Sequence, residues 1–296
     1  MNLIYAITVN YNQVADTVLC IKSLLNQKPE KPKIILVDNG SELNIVEELQ
    51  KQINLISNDI WFVEADSEFN YSIKQHYDII FIKSAKNLGF AGGNNLAIKF
   101  IREELKQQQS DFWLINNDAY ADENALKQIT DEAYTRNLAI TGAVVYNTNS
   151  SQIQSVGGII HPRFAVSINC NQLTDIPKIE YVYGASFFIH CSTIDKIGYL
   201  PEHYFMYFEE TDYCFTARKQ GLKIGVAQHA KVYHKPSAKY VNKKTDLMQQ
   251  RNKIWFAKKF GYPMFWVKLG LLLTVFNRII RLQLNRVPYI LSLIFS

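Results

Sequence analysis

The chain has 296 residues, enough for one large α/β domain with an extension. Hydrophobic residues make up 48% and charged residues 20%, near-average values that exclude a disordered chain and a fibrous repeat. The formal net charge of +5 hides an asymmetry, because residues 216–296 hold 16 Lys and Arg against one acid, a local charge of +15. The remaining 16 basic and 26 acidic residues give residues 1–215 a charge of −10.

The cysteines and the N-terminus indicate the compartment. The first nine residues read directly as a strand and lack a basic leader or cleavage site, so no signal peptide is expected. The four cysteines are far apart and form no CxxC pair, which argues against a disulfide framework or a cysteine zinc site and fits a reducing compartment; they are Cys20, Cys170, Cys191 and Cys214.

The first half of the chain alternates predicted strands and helices. This alternation is typical of an open, mostly parallel sheet flanked by helices. Apolar runs predict strands at residues 3–9, 34–37, 79–82, 112–115 and 139–145, and helical spacing predicts helices at residues 17–25, 94–106 and 123–136.

The second half is less regular. A strand is predicted at residues 181–190, interrupted by Gly184, and a helix at residues 209–220. Two short strands are expected at residues 222–226 and 231–233. The stretch from residue 264 to 295 is rich in Leu, aromatic residues and Arg, and no uncharged run reaches the ~18 residues of a spanning helix. It favours helices lying in a membrane interface, with a core or dimer helix as the alternative.

Polar side chains follow three of the predicted strands. They form the segments Asn10-Tyr11-Asn12, Asp38-Asn39 and Asn116-Asn117-Asp118. Asn and Asp are common in ordinary turns, but three such segments at one sheet edge indicate a ligand site, because ligands bind beyond the carboxyl ends of parallel strands. The segment from Asn87 to Gly93 has glycines at 89, 92 and 93, which does not match the dinucleotide fingerprint GxGxxG.

From residue 3 to about 234, the sequence resembles family 2 glycosyltransferases of the GT-A fold, in the rhamnosyltransferase-like branch of bacterial surface polysaccharide synthesis. The order and spacing of short motifs carry the resemblance. They are Thr8-Val9-Asn10-Tyr11-Asn12, Val37-Asp38-Asn39-Gly40-Ser41, Asn87-Leu88-Gly89-Phe90-Ala91-Gly92-Gly93-Asn94-Asn95, Leu114-Ile115-Asn116-Asn117-Asp118, Tyr183-Gly184-Ala185, and Phe208-Glu209-Glu210-Thr211-Asp212 with His234.

The resemblance implies a nucleotide-sugar donor, a UDP- or dTDP-sugar. Asp38 can accept a hydrogen bond from the base or ribose, and Tyr11 can stack on the base. A glycine-rich segment lets backbone N–H groups approach a ligand at a helix start. The donor-binding residues are therefore expected to be Asn10, Tyr11, Asp38, Asn87, Gly89, Gly93 and Asn117.

A divalent cation, Mn²⁺ or Mg²⁺, is also implied. Asp118 matches the last acid of the family's DxD motif, while Asn116 replaces the first acid. One carboxylate together with diphosphate oxygens suits either cation. His234 resembles a late histidine that completes the metal site in related enzymes, and imidazole suits Mn²⁺ better than Mg²⁺.

The acid cluster is expected to carry the general base. In the family the matching acid deprotonates the acceptor hydroxyl and is usually Asp; here it is the longer Glu210. Adjacent side chains on a helix face different ways, so Glu209 is expected to support the site and Asp212 to cap or brace the helix. Helix-start acids without a catalytic role are the alternative.

These features predict an inverting, metal-dependent transferase of hexosyl or deoxyhexosyl groups. Its acceptor is expected to be a lipid-linked, lipopolysaccharide or capsule glycan. Residues 1–240 form the transferase domain, with a donor half (1–120) and an acceptor half (121–240). Residues 241–296 are expected to form a helical extension that attaches a cytoplasmic protein peripherally to the inner face of the cell membrane.

Three other functions were weighed, and one of them remains open. Asn116 and Glu210 stand where the family usually has Asp. These two departures leave open a non-catalytic scaffold of the same fold in a polysaccharide assembly complex. A nucleotidyltransferase is disfavoured, because residues 10–14 lack a loop rich in Gly and Lys or Arg. A nucleic-acid partner is not expected, because the basic C-terminal part is mixed with apolar runs and carries no recognised motif.

Overall fold

A computed structural model describes residues 2–65, 76–236 and 242–295. It confirms the predicted α/β class with a mostly parallel central sheet. The strands are β1 (Ile4–Asn10), β2 (Lys33–Asn39), β3 (Ile60–Glu64), β4 (Ile79–Ser84), β5 (Asp111–Ile115), β6 (Ala119–Ala121), β7 (Ile140–Asn147), β8 (Ile153–Ser155), β9 (Gly157–Ile160), β10 (Ser167–Cys170), β11 (Ser186–Ile189) and β12 (Ile224–His234).

The helices follow most of the strands. Those of the described residues are α1 (Ala15–Leu25), α2 (Leu43–Asn54), α3 (Gly89–Lys99), α4 (Ala125–Thr135), α5 (Cys191–Ile197), α6 (Glu209–Lys219), α7 (Lys243–Phe260), α8 (Met264–Ile280) and α9 (Val287–Phe295).

The large sheet has the strand order β3-β4-β2-β1-β5-β11-β7-β12-β6, with β8 paired to β7. The pairs β3–β4, β4–β2, β2–β1, β1–β5 and β7–β12 are parallel, and β11 runs antiparallel to both β5 and β7. The parallel register brings the carboxyl ends of β1, β2 and β5 to one edge, as the sequence predicted. Strands β9 and β10 form a separate two-stranded sheet.

Helices cover both faces of the large sheet, so its central strands are apolar on both sides. One core layer includes Ile21 of α1, Val46 of α2 and Ile129 of α4. The opposite layer includes Tyr213 of α6 and Phe256 of α7. All four cysteines are buried free thiols.

The glycine-rich segment departs from the expected order. Helix α3 begins at Gly89 instead of residue 94. Gly89 has a φ of +75°, and a β-carbon there would overlap the carbonyl oxygen of Phe205, so the start of the helix requires glycine. A β-carbon at Gly93 would lie 2.7 Å from Val9 Cγ1, so this glycine lets α3 pack closely on β1. Close packing overrides the low helix propensity of glycine here. A π-helical turn, Phe100–Glu104, follows α3.

Two predicted strand boundaries are wrong. Within residues 181–190 only Ser186–Ile189 pairs in the large sheet, and the residues before it form a turn that faces the site. Residues 222–226 and 231–233 belong to one strand, β12, with an irregularity between Ala227 and Lys231 that shifts the register.

Helix α7 is the first helix of the predicted helical extension, but its bounds were not predicted from the sequence. Asn242 caps its start by accepting a hydrogen bond from the Thr245 N–H, and Gly261, with a φ of +74°, ends it. The predicted domain boundary between residues 240 and 241 lies outside the described residues. Within the described residues, no helix has both the length and the apolar composition needed to cross a bilayer.

Candidate active site

A cavity of about 540 Å³ lies at the carboxyl edge of the parallel strands. We call it the first cavity. Eight of the residues predicted for the site line it: Tyr11, Asn87, Gly89, Asn117, Asp118, Glu209, Glu210 and His234.

Asn10 and Asp38 lie behind this cavity and do not line it. Both are fully buried, and Asn10 Nδ2 donates to Asp38 Oδ2 over 2.9 Å. Asn10 Oδ1 accepts from the Thr17 hydroxyl at 2.9 Å, and Asp38 Oδ1 accepts from the Ser41 N–H at 3.0 Å. The pair therefore joins the ends of β1 and β2 beneath Tyr11, which is 49% exposed.

The start of α3 differs from the prediction of free N–H groups. The Leu88 N–H donates to Asn39 Oδ1, the Gly89 N–H to Asn87 Oδ1, and the Phe90 N–H to the Phe205 carbonyl, at 2.8–3.0 Å. These donors are engaged within the protein, so the glycine-rich segment supplies a close-packed wall instead of an N–H cradle. The sequence reasoning missed Asn39 as the residue that holds this segment, although it follows Asp38 in the quoted motif.

Asp118 and His234 are brought together from β5 and β12. Asp118 Oδ1 lies 3.1 Å from His234 Nε2. His234 Nδ1 lies 2.8 Å from Gln154 Oε1, which can only accept, and Nε2 lies 3.3 Å from the amide nitrogen of Asn116, which can only donate. Gln154 therefore fixes a proton on Nδ1, while Nε2 faces both the Asn116 amide and the Asp118 carboxylate; it carries a proton when it donates to Asp118 and a lone pair when a cation lies between them.

This arrangement fits a divalent cation. A lone pair and a carboxylate oxygen 3.1 Å apart repel each other unless a proton or a cation lies between them. Carboxylate with imidazole is a donor set that suits Mn²⁺, and Gln154 orients the ring as outer partners of metal-bound histidines do. Burial alone raises the pKa of Asp118, but the hydrogen bond from His234 and the charges of His234 and Lys235 outweigh it and lower that pKa.

A second cluster of potential metal ligands lies at the opposite edge of the sheet. Ligand atoms of Asp111, His190 and Cys191 all lie within 4.8 Å of one another. Asp111 begins β5, whereas Asp118 follows the end of that strand. The Asp111 carboxylate already accepts from the Cys191 N–H at 2.8 Å and the Tyr134 hydroxyl at 2.6 Å, so its contacts explain a structural role.

Glu209 and Glu210 begin α6 after a strained segment. Phe205, Tyr207 and Phe208 all have φ values between +66° and +77°, each costing about 1–3 kcal/mol for a non-glycine residue. We call Phe205–Phe208 the base-proximal segment, because it lies next to Glu210, the candidate general base. It is held by Asn252 of α7, whose buried amide Nδ2 lies 2.8–3.1 Å from the carbonyls of Tyr204, Met206 and Tyr207.

Burial changes the acidity of both glutamates. It raises the pKa of Glu210 to about 6, while backbone N–H groups oppose the shift. Burial and the neighbouring Glu210 raise the pKa of Glu209 well above its usual value. One carboxylate oxygen of each is buried without a hydrogen-bond partner. No basic side chain of the described ranges lies within ion-pair distance of either acid, so Glu210 is poised to accept a proton near neutral pH.

Asp212 braces the same helix. It is almost fully buried and accepts from the Tyr204 hydroxyl at 2.8 Å and the Thr216 hydroxyl at 3.1 Å. Lys259 of α7 lies 2.6 Å from the same carboxylate. Asp212 thus ties α6 to α7 and does not line the first cavity.

A second cavity, of about 660 Å³, adjoins the first. Four residues line both: Tyr183, Tyr207, Glu210 and Pro236. Glu209 lines only the first. Glu210 is therefore the acidic residue at the junction, and its side chain lies 3.6 Å from where a β-carbon of Gly184 would stand. The sequence reasoning missed Asn252 and Lys253, a lysine in the second cavity, because the helical extension was expected to meet a membrane and not to pack against the site.

Comparisons with known proteins identify the family. The model of glycosyl transferase family 2 matches residues 5–197. The hexosyltransferase Agl10 of low-salt glycan biosynthesis in Haloferax volcanii is 25% identical over 208 residues, covering 68% of this chain and 66% of that protein. The rhamnosyltransferase WbbL of Escherichia coli is 20% identical over 210 residues, covering 64% and 78%. The chain thus spans slightly less than two thirds of the Haloferax relative.

Solved structures show the same fold. S. aureus TarS aligns with a TM-score of 0.52 at 16% identity, covering 86% of this chain and 39% of TarS. GalNAc-T7, solved with UDP, GalNAc and Mn²⁺, aligns with a TM-score of 0.66 at 12% identity, covering 87% and 48%. These likenesses confirm the predicted GT-A fold. Since the family model matches well over half of the sequence, the chain belongs to glycosyl transferase family 2.

Proposed function

We propose that this chain is an inverting glycosyltransferase. It moves a hexosyl or deoxyhexosyl group from a UDP- or dTDP-sugar to a hydroxyl of a lipid-linked, lipopolysaccharide or capsule glycan. The observation that carries the proposal is the place of Glu210 at the junction of two cavities. A transferase needs one pocket for the donor, one for the acceptor and a base between them.

The first cavity takes the donor. Tyr11 at its mouth offers an exposed ring on which a base can stack. Asn117 in its wall donates to the Thr17 hydroxyl at 3.0 Å and keeps its carbonyl for a ligand hydroxyl or N–H. Asp118 and His234 would hold a divalent cation, Mn²⁺ or Mg²⁺. When bound, the cation supplies positive charge that stabilises the leaving nucleoside diphosphate.

The second cavity takes the acceptor. Glu210 removes the proton of the acceptor hydroxyl as that oxygen bonds to the anomeric carbon. The bond from that carbon to the diphosphate breaks, and the nucleoside diphosphate leaves with the electron pair. Attack from the second cavity, opposite the leaving group, inverts the anomeric configuration. Burial raises the pKa of Glu210 to about 6, which makes it a stronger base than an exposed carboxylate yet leaves it ionised at pH 7.

Helices α8 and α9 attach the protein to the cytoplasmic face of the membrane. Several large apolar side chains on this part are more than half exposed, and the surrounding charge is basic, which favours an anionic lipid surface. They are Phe265, Leu273, Phe276, Ile280, Leu282, Leu284 and Phe295.

The first experiment is a thermal-stability screen of the purified chain against nucleotide sugars, with and without Mn²⁺. A ligand that binds the folded state raises the melting temperature. We expect a Mn²⁺-dependent rise with one nucleotide family, and release of that nucleoside diphosphate when acceptor glycans are added. A folded chain that responds to no donor, alone or with acceptor glycans, would refute the transferase proposal in favour of a scaffold.

A further inference from the structure

The second cavity contains a buried cation. Lys253 of α7 lines this cavity and is only 6% exposed. Its ammonium donates to Gln250 Oε1 at 2.9 Å, an uncharged partner on the same helix. Burial lowers the pKa of Lys253 to about 8, although the nearby carboxylate of Asp246 opposes the shift.

The nearest acid is already paired with other cations. Asp246 Oδ1 lies 2.8 Å from Arg278 Nη2, and Oδ2 lies 2.9 Å from Arg286 Nη1. Gln250 Nε2 also donates to Asp246 Oδ1, at 3.3 Å. Throughout the described ranges no carboxylate lies within ion-pair distance of Lys253. The carboxylate nearest to Lys253 is thus already shared by two guanidinium groups, and the printed partner of the Lys253 ammonium is the uncharged Gln250 amide.

An uncompensated buried charge destabilises the folded chain, and an apolar side chain of similar size would remove that cost. A ligand that brings a negative charge to Lys253 would explain why a lysine occupies this buried position. We propose that Lys253 binds an anionic group of the acceptor, a phosphate or diphosphate ester, within the second cavity. The proposal rests on the proposed function in one respect, the assignment of this cavity to the acceptor.

The same cavity touches the helix proposed to meet the membrane. Thr274 of α8 lines it, while Leu273 and Phe276 of α8 are exposed. A phosphate ester can therefore come from a lipid-linked acceptor or from a soluble sugar phosphate. Lys253 recognises the chemistry that both share, and the test must separate the two sources.

The test compares wild type with Lys253→Met, Lys253→Arg and the control Lys258→Met, an exposed lysine on the same helix. Inorganic diphosphate is titrated calorimetrically into each full-length protein without divalent cations. We expect Lys253→Met to weaken diphosphate binding at least tenfold, with Lys253→Arg weakening it less and Lys258→Met leaving it unchanged. Lys253→Met should also melt no lower than wild type, because it removes a buried charge.

Vesicles separate the two sources. Phosphatidylcholine vesicles with and without phosphatidic acid are sedimented with each variant. A loss specific to Lys253→Met in the phosphatidic acid vesicles assigns a lipid phosphate, and a loss with diphosphate alone assigns a soluble one. Equal diphosphate binding by wild type and Lys253→Met, or none by wild type, overturns the proposal. Nucleotide-sugar binding, measured separately, tests the proposed function and should be unchanged in Lys253→Met.

Discussion

Asn252 offers the sharpest test of how Glu210, the proposed general base, is positioned. Replacing it with Leu, which is similar in size, removes the amide that lies 2.8 Å from the Met206 carbonyl and 2.9 Å from the Tyr207 carbonyl. The Tyr204 carbonyl keeps a second donor in Arg251 Nη2, at 3.3 Å. Two partly buried carbonyls then lose this partner, at about 0.5–1.5 kcal/mol each, so Asn252→Leu should lower the free energy of unfolding by about 1–3 kcal/mol.

The loss of these hydrogen bonds can affect either the stability of the protein or its activity. If the base-proximal segment stays in place, the whole cost falls on global stability, and urea unfolding followed by tryptophan fluorescence detects it. If the segment relaxes toward water, stability changes less and Glu210 is no longer held in position, so kcat falls. The donor dissociation constant then rises by a smaller factor, because Met206 and Tyr207 also line the first cavity. Asn252→Asp should be worse than Leu in both assays, because it places carboxylate oxygens against three carbonyl oxygens.

The control is Lys258→Leu, an exposed position on the same helix, which should change neither quantity by more than about 0.5 kcal/mol. An Asn252→Leu protein that unfolds at the wild-type urea concentration and turns over at the wild-type rate would refute the argument. It would mean that the left-handed backbone before Glu210 holds itself without help from α7.

Three further variants test the site. Glu210→Gln should lower kcat about 10²–10⁴-fold without weakening donor binding and remove a rise in activity through pH 6; an unchanged rate refutes its role. Because folding raises this pKa from 4.5 to about 6, the folded state holds more protons in that window and stability falls as pH rises. Urea titrations should show a smaller slope in Glu210→Gln, with the remainder contributed by Glu209, whose pKa burial also raises. Asp118→Ala should abolish the Mn²⁺-dependent thermal shift, and a persisting shift would place the cation elsewhere. Phe276→Asp should weaken binding to anionic vesicles and leave donor binding intact; unchanged vesicle binding contradicts the membrane proposal.

The sequence predicted the sheet edge well because parallel strands bring their ends together by topology alone. Three polar strand ends therefore met at one edge, and Asp118 came within 3.1 Å of His234 although the two are far apart in the chain. The sequence could not say which polar side chains face the cavity. Asn10 and Asp38 have the same residue types as a ligand site but satisfy each other.

The roles of Asn252 and Lys253 were not predicted for a different reason. Asn252 and Lys253 lie in a run of polar residues, from Gln249 to Lys253, in which no hydrophobic pattern marks a buried face. Their importance comes from what packs against α7, which is long-range information. The packing role of the α3 glycines could not be predicted for a related reason: the contacts with Val9 and Phe205 that require them come from distant parts of the chain.

The C-terminal part contributes more to the site than its charge suggests. Helix α7 holds the base-proximal segment through Asn252, holds α6 through the ion pair of Lys259 with Asp212, and packs Phe256 against Phe208 at a ring distance of 5.4 Å. The strained residues before Glu210 therefore lie between α3, which accepts Phe205 in the space left by Gly89, and α7. Since a general base must lie within hydrogen-bond reach of its proton, the position of Glu210 depends on both contacts at once. Residues from the basic end of the chain thus set the geometry of the acid in the cleft, so binding of that end to a membrane or an anionic acceptor would act on the same helix that positions the base.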